Sequence, residues 1–269
     1  MNITNNYTWK TKTNRDNSPL LPKNIRGLIV GKSGCGKTTL LINLLLQPDW
    51  LDYNHLYIYG NSLHQKEYQI IMKGYEEGLS KRQVSNLFLH QEILEKDKLS
   101  PLDVIKDYSG IREGGIKIDV YDNCDSVPDP KQLNINEKNL LVLDDCYLDK
   151  QSKAESYYSR GRHNSCDTLF LSQNYFRLPR HTIRENSNFI ILFRQDVKNL
   201  DHIYADHCSD ISRDEFKAFC KTVWKDYNFV TLDLTSSKFH GKYRKNLDCF
   251  YLPGINQDHT SPAQNDRSP

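Results

Sequence analysis

Residues 25–41, "IRGLIVGKSGCGKTTLL", decide the fold of this chain. They begin with an apolar run, pass through a segment with three glycines and enter a leucine-rich run that continues to residue 47. An apolar run of strand length, glycine punctuation and then a leucine-rich run predict a β-strand, a tight loop and an α-helix. We therefore expect a strand over 25–30, a loop over 31–36 and a helix over 37–47.

The loop carries the Walker A pattern, with Gly31, Gly36, Lys37 and Thr38 at the required spacing. Its glycines allow backbone N–H groups to point at phosphate oxygens, and the positive N-terminal end of the helix adds to them. We expect the Lys37 ammonium on the β- and γ-phosphates of ATP and the Thr38 hydroxyl on Mg²⁺. The predicted nucleotide-binding segment consists of Gly31, Lys32, Ser33, Gly34, Cys35, Gly36, Lys37, Thr38 and Thr39.

A pair of adjacent acids, Asp144 and Asp145, follows the apolar run "NLLVL" at 139–143. Unpaired carboxylates are costly to bury, so we expect this pair at the C-terminal end of a strand, in the ligand crevice of an open α/β sheet. Asp144 is assigned to the magnesium shell, and Asp145 to orienting or deprotonating the attacking water. The pair favours nucleotide hydrolysis over small-molecule phosphorylation, which does not need an activated water.

The rest of the chain alternates short apolar strands with helical stretches. Further strands are predicted at 55–59, 116–121, 139–145, 168–172 and 189–193, and further helices at 63–78, over much of 150–160 and at 211–223. This alternation indicates an α/β fold with a mostly parallel sheet and helices on both faces. The stretches "NFVTLDL" and "YRKNLDCFYL" flank a turn-rich segment, which predicts a C-terminal antiparallel hairpin on the sheet edge.

Composition predicts one domain with loose ends. Residues 1–19 and 256–269 are polar and are expected to form a flexible arm and a disordered tail around a single ATPase domain over 20–255. The apolar runs are too short to span a membrane and no signal peptide is recognised, so we expect an intracellular protein rather than a secreted one. Its seven scattered cysteines then remain reduced. A net charge of +2 does not by itself indicate a nucleic-acid partner.

Gln173 ends the strand predicted at 168–172, where its amide would lie near the γ-phosphate, sense hydrolysis and hold the water. Six arginines precede or follow this strand in the sequence, more than one site can use: Arg160, Arg162, Arg177, Arg180, Arg184 and Arg194. One of them could act in trans on the nucleotide of a neighbouring subunit, which would require a ring.

The order of these motifs resembles the FtsK/HerA superfamily of DNA-pumping ATPases. Walker A, the strand with paired acids, "RGRH" at 160–163, the strand before Gln173 and "LP..IREN…FIILF" over 178–193 are similar to its poxvirus-type branch, the genome-packaging ATPases of large DNA viruses, virophages and Polinton-like elements. The resemblance covers roughly residues 25–250. It implies an additional-strand (RecA/FtsK-like) P-loop core, a homo-oligomeric ring around double-stranded DNA, Arg162 as trans finger with Arg160 next, and Gln173 as sensor.

The chain departs from that resemblance in three respects. FtsK itself usually has Glu where this chain has Asp145, although paired Asp fits the viral branch. Neither a winged-helix domain after the core nor a membrane segment before it is recognised, so we expect a bare motor that docks on another protein, such as a capsid or portal-like protein. The host cytoplasm or nucleus, or the virion, is then the expected location.

DNA contacts are expected from lysines and arginines on pore loops, without sequence readout. The candidates are Lys73, Lys81, Arg82, Lys150, Lys153, Lys238, Lys242, Arg244 and Lys245. The segment "HIYADHC" at 202–208 could suggest zinc, but it lacks a nearby fourth ligand, and a helix face explains it better.

Three other functions remain open. A nucleotide or nucleoside kinase would use "RLPRHTIR" at 177–184 as an arginine-rich lid, and the paired acids and Gln173 count against it. A non-hydrolysing nucleotide switch or scaffold would tolerate the loss of Asp145. A helicase would need further motifs and an aromatic single-strand platform, neither of which the sequence offers.

Overall fold

The structure, a computed structural model, describes residues 17–89, 100–106, 115–146, 151–225 and 228–254. Most of the predicted arm and the predicted tail therefore lie outside the described residues. Asn17 and Ser18, which the prediction placed in the arm, are buried. The Asn17 amide donates to the Asp167 carboxylate over 2.7 Å. Asn17 and Ser18 therefore belong to the packed domain.

The described residues contain a nine-stranded sheet in the order β3-β2-β4-β5-β1-β6-β7-β8-β9. Its strands are Arg26–Val30 (β1), His55–Gly60 (β2), Lys117–Tyr121 (β3), Asn139–Asp144 (β4), Cys166–Ser172 (β5), Phe189–Leu192 (β6), Val230–Asp233 (β7), Tyr243–Lys245 (β8) and Cys249–Phe250 (β9). The first six are parallel to one another, whereas β7, β8 and β9 pair antiparallel with their neighbours. The predicted fold class is confirmed.

β5 lies between β1 and β4, the strands that lead into the glycine loop and the acid pair. This is the additional-strand arrangement that the resemblance implied. In the C-terminal hairpin, the second predicted stretch divides into β8 and β9 around Asn246, whose φ of 54° marks a turn. The Arg244 guanidinium on β8 is buried and pairs with Asp233 on β7.

Helices cover both faces of the sheet. They are Lys37–Leu46 (α1), Lys66–Glu76 (α2), Lys81–Leu89 (α3), Pro101–Lys106 (α4), Ser152–Arg160 (α5), Val197–His207 (α6) and Arg213–Val223 (α7). Buried side chains of α1 to α4 belong to one core cluster, and those of α5 to α7 belong to the other. No separate prediction was made for α3 or α4. None of the helices in the described part of the chain is long and apolar enough to cross a membrane.

Strand alternation explains how one sheet serves two cores. On β1, Leu28 and Val30 belong to the cluster shared with α5 to α7, whereas Ile29 belongs to the cluster shared with α1 to α4. Because both faces are covered, the central strands are near-continuous apolar runs. The C-terminal ends of β1, β4 and β5 then meet at one edge, called here the carboxyl edge, and the starts of the same strands form the amino edge.

Candidate nucleotide-binding site

The glycine loop between β1 and α1 has a backbone that its glycines make possible. Gly34 and Gly36 adopt φ of 73° and 102°, in the left-handed region that side chains disfavour. A Cβ at Gly31 would lie 2.5 Å from the Cys35 Sγ and 2.7 Å from the Phe193 Cβ. Each glycine therefore allows either a turn or a close approach that another residue would obstruct.

Lys37, the first residue of α1, folds back over this loop. Its Nζ donates to the Gly31 carbonyl over 2.7 Å and to the Lys32 carbonyl over 3.0 Å. The first turn of α1 contains no acidic residue, and no side chain caps its N-terminus. N–H groups without a side-chain cap and a lysine ammonium thus lie together at this helix end, a combination that suits binding of a phosphate group.

An open cleft of about 310 Å³ brings the loop together with the predicted acids and amide. Its lining residues are Ser33, Gly34, Gly36, Lys37, Thr38, Thr39, Ser62, Gln65, Glu67, Asp144, Asp145 and Gln173. Of the predicted binding segment, only Gly31, Lys32 and Cys35 are not among them. Cys35 packs partly against the core, and burial raises the pKa of its thiol.

Asp144 ends β4 at the floor of the cleft and is 4% exposed. Its Oδ2 accepts a 2.6 Å hydrogen bond from the Tyr68 hydroxyl, whereas Oδ1 has no hydrogen-bond partner among the described residues. Burial raises the pKa of the Asp144 carboxyl, and the charge of Asp145 adds to this, while the Tyr68 bond and Lys37 oppose it. A Cβ at Gly60, on the paired strand, would lie 2.7 Å from the Asp144 carbonyl oxygen.

Asp145 has an unusual backbone and an incompletely bonded side chain. Its φ is 54°, a left-handed conformation that costs free energy for a residue with a Cβ, though Asp tolerates it better than most. Its Oδ2 accepts a 2.8 Å bond from the Gln173 amide Nε2. Its Oδ1 is buried with no hydrogen-bond partner within the described residues. The carboxylate is therefore fixed at one oxygen and unpaired at the other.

The donor set fits magnesium. The Thr38 side chain and the Asp144 carboxylate line the same cleft, and these hard oxygen donors suit Mg²⁺, which usually keeps water and substrate phosphate as its other ligands. Among the described residues no group of three or more His, Cys, Asp or Glu side chains could hold a metal alone. In the segment "HIYADHC", the His207 Nε2 lies 2.7 Å from the Tyr175 hydroxyl.

The predicted trans arginines lie at the other edge of the sheet. Arg160 ends α5, and Arg162 lies in a 3₁₀ turn, Gly161–Asn164, just before β5 begins. β5 has seven residues, so it separates that turn from the cleft by about 20 Å. Arg162 donates from Nε to His163 over 3.2 Å.

Arg26, at the start of β1, was not predicted as part of any site. Burial lowers the pKa of the Arg26 guanidinium, and the positive charge of Arg162 lowers it further. The two cations therefore face each other at the amino edge, and neither forms an ion pair with an acid among the described residues.

The segment proposed as a kinase lid is held by ion pairs. Arg184 is buried, and its Nη1 lies 3.0 Å from the Asp206 Oδ2 on α6. Arg180 pairs with Glu185 over 3.2 Å, and residues Arg180–Arg184 form one turn of π-helix. These contacts make the segment part of the domain's packing, which counts further against a kinase reading.

Several predicted DNA-contacting cations are already engaged within the domain. Arg244 was the wrong choice, because it is buried against Asp233. Lys73 pairs with Glu77 and Lys242 with Asp210, while Lys81 and Lys238 donate to backbone carbonyls. Lys150 lies outside the described residues. Arg82 and Lys245 are exposed and Lys153 is half-buried.

Sequence reasoning missed the contribution of α2 and of the loop before it. Ser62, Gln65 and Glu67 line the cleft, and Tyr68 bonds Asp144 from beneath. No motif marks them. The available signal was topological, since a helix that follows a parallel strand starts at the carboxyl edge, beside the acids on the neighbouring strand.

Comparisons with known proteins give likenesses of structure alone. No family model matches the chain, and no curated protein matches it. The genome packaging NTPase B204 from Sulfolobus turreted icosahedral virus 2, in complex with AMP, is similar at 14% identity and a TM-score of 0.48, over 84% of this chain and 98% of that one. Its AMPPCP complex gives 15% identity and a TM-score of 0.46, over 80% and 95% of the two chains.

VirB4 of Thermoanaerobacter pseudethanolicus is similar at 12% identity and a TM-score of 0.41, over 85% of this chain and 90% of that one. At identities and TM-scores of this size, such likenesses do not decide function. The functional argument therefore comes from the cleft itself.

Proposed function

We propose that the chain is a magnesium-dependent ATPase that drives double-stranded DNA through a homo-oligomeric ring and packages a viral genome into a capsid. One observation carries the proposal. A single cleft brings together Lys37, the acid pair and Gln173, which lie at or beyond the ends of three strands. Gln173 is bonded to Asp145 over 2.8 Å. A phosphate loop facing a carboxylate that is bonded at one oxygen and free at the other suits hydrolysis of a nucleoside triphosphate.

The phosphate loop and α1 bind the triphosphate. Backbone N–H groups of the loop and the Lys37 ammonium hold phosphate oxygens, and Lys37 keeps a third donor beyond its two carbonyl bonds. Thr38 and Asp144 would hold Mg²⁺, Asp144 through the oxygen that Tyr68 leaves free. When bound, magnesium neutralises charge that develops on the phosphates.

Asp145 and Gln173 prepare the attacking water. We assign the proton acceptor to the Asp145 carboxylate, whose Oδ1 has no hydrogen-bond partner among the described residues. The Gln173 amide donates to the other oxygen, which fixes the rotation of the carboxylate. Gln173 thereby connects the state of the γ-phosphate to the end of β5, in agreement with the sensor role that the resemblance implied.

Arg162 completes the site from a neighbouring subunit. It lies about one strand length from its own cleft, a distance that supports action in trans over action in cis. Its unpaired charge is available for the phosphates of a nucleotide bound between subunits, and Arg160 is the alternative. Such an arrangement requires a ring, whose DNA contacts would be exposed cations such as Arg82 and Lys245.

The test is steady-state ATP hydrolysis with and without linear double-stranded DNA, followed by mixing wild type with Arg162→Ala. We expect DNA to stimulate hydrolysis strongly and the variant to inhibit wild type beyond dilution. Arg213→Ala is the matched control, because this exposed arginine pairs with Asp201 on the surface and should only average with wild type. Hydrolysis that ignores DNA, together with simple averaging by Arg162→Ala, would contradict the motor.

A further inference from the structure

The Tyr68 hydroxyl makes a contact with the site that no motif predicts. Tyr68 lies in the first turn of α2 and is completely buried, and its hydroxyl donates to the Asp144 Oδ2 over 2.6 Å. A bond this short from a neutral hydroxyl to a carboxylate belongs to the strong, charge-assisted class. The donor and acceptor come from elements that are 76 residues apart in sequence.

This bond divides the two oxygens of Asp144 between different tasks. Oδ2 is held from below by Tyr68, while Oδ1 has no hydrogen-bond partner among the described residues and belongs to a side chain that lines the cleft. A carboxylate with one anchored oxygen presents the other in a fixed direction. A carboxylate without that anchor would sample several orientations, and each interaction with a ligand would first have to restrict them.

We infer that Tyr68 is a positioning residue for the magnesium shell: it orients Asp144 and so sets how much magnesium strengthens ATP binding. The inference rests on the proposed function, because it concerns the same cleft. Hydrogen bonds that orient metal ligands from behind typically change metal affinity by about 10- to 100-fold. Among the described residues, the Tyr68 hydroxyl bonds Asp144 and no residue of the phosphate loop, so its effect should be limited to the magnesium-dependent part of binding.

The experiment measures the affinity of a fluorescent ATP analogue in excess magnesium and in excess chelator, for wild type, Tyr68→Phe and Tyr75→Phe. Tyr75 is the matched control. It is buried on the same helix, and its hydroxyl bonds the Tyr53 hydroxyl over 2.9 Å, away from the cleft. We expect Tyr68→Phe to reduce the gain from magnesium by about tenfold without changing the affinity in chelator. Tyr75→Phe should leave both values as in wild type.

Two results for Tyr68→Phe would overturn the inference. One is a gain in analogue affinity from magnesium that equals the gain in wild type. The other is an equal loss of analogue affinity with and without magnesium, which would indicate a general structural role. The same measurement on wild type distinguishes failure of this inference from failure of the proposed function. If wild type itself binds the analogue without any gain from magnesium, then both the proposed magnesium-dependent ATPase and the inference drawn from it are wrong.

Discussion

Two buried aspartates at opposite edges of the sheet show how this fold separates structure from chemistry. Asp167, at the amino edge, is 2% exposed and accepts hydrogen bonds from the Asn17 amide over 2.7 Å and from the Ile25 N–H over 2.8 Å. The Lys138 ammonium lies 3.3 Å from its Oδ2. Both of its oxygens are therefore bonded.

The acid pair at the carboxyl edge is bonded much less completely. Asp144 has one hydrogen bond to its side chain, and Asp145 has one bonded and one unpartnered oxygen in the part of the chain that the structure describes. Burial raises the pKa of both Asp144 and Asp167, so burial alone does not distinguish them. The difference lies in hydrogen bonding: a fully bonded acid stabilises the fold, whereas an under-bonded acid is free to act on a ligand.

The largest effect should come from Asp145→Asn. Asparagine tolerates the left-handed backbone at this position, so the fold should persist, but its amide is not a base. Loss of a general base typically lowers the turnover rate by about 10²- to 10⁴-fold. Steady-state hydrolysis should fall within that range while ATP affinity and thermal stability stay near wild type. A variant that hydrolyses ATP normally would show that Asp145 is not the general base and would contradict its assigned role.

Asp167→Ala should have the opposite profile. It leaves the Lys138 ammonium and two N–H donors without their acceptor, which should cost about 3 to 4 kcal/mol of unfolding free energy. Urea unfolding measures the loss, and hydrolysis per folded molecule should remain unchanged. If folded Asp167→Ala molecules lost ATP hydrolysis, the assignment of Asp167 to stability and of the acid pair to chemistry would be wrong.

These two variants also show what sequence could foresee. The glycine loop and the acid pair follow local patterns, since a strand that leads into Gly31 or Asp144 is visible as an apolar run. The strand order around them was implied by the family resemblance and not by local patterns. Asp167 offers no such signal. It stands one residue before the strand predicted at 168–172, and its partners Asn17 and Lys138 come from the predicted arm and from the residue just before the strand predicted at 139–145.

Pairings between distant elements explain the remaining differences. Tyr68 on α2 bonds Asp144, and Arg244 on β8 pairs with Asp233. Helix or strand periodicity does not predict which acid a given residue will contact. Arg244 therefore looked like one more surface cation in a basic stretch. Burial of a charged side chain depends on a partner, and the partner is known only from the assembled sheet.

His207 is a buried titratable group outside the nucleotide cleft. Burial lowers the pKa of this histidine to about 4. Groups that face it are Tyr175, Arg184, Glu185, Asp206 and Lys242. Its folded pKa lies below its unfolded value of about 6.5, so the unfolded state binds a proton first as pH falls. The contribution of His207 to stability should therefore be constant above pH 6.5 and should fall by up to about 3 kcal/mol between pH 6.5 and 4.

Urea unfolding across this pH range, compared for wild type and His207→Gln, measures that contribution. The variant should lose less stability on acidification, and its turnover per folded molecule at neutral pH should match wild type. His64→Gln is the control, because His64 is exposed and should not alter the pH profile. An identical acid loss in wild type and His207→Gln would contradict the buried, neutral state of His207.

The smallest effect should be the coupling between Asn17 and Asp167. Asn17→Ala removes the bond to Asp167 together with the Asn17 bonds to the Pro22 carbonyl and from the Asp52 N–H, and it leaves the other two contacts of Asp167 in place. We expect the bond to Asp167 to contribute about 1 kcal/mol of unfolding free energy, the usual value for a single hydrogen bond. In the Asp167→Ala background, Asn17→Ala should therefore cost about 1 kcal/mol less than it does in wild type. Full additivity of the two losses in a double-mutant cycle would show that this bond does not contribute.

The most direct test of the central claim is movement along DNA. Linear double-stranded DNA carrying a bound triplex-forming oligonucleotide reports translocation when a motor displaces the third strand. We predict that wild type displaces it only with ATP and magnesium, and that Asp145→Asn binds ATP but displaces nothing. Failure of wild type to displace the strand while it hydrolyses ATP on that DNA, or displacement that survives in Asp145→Asn, would contradict the account.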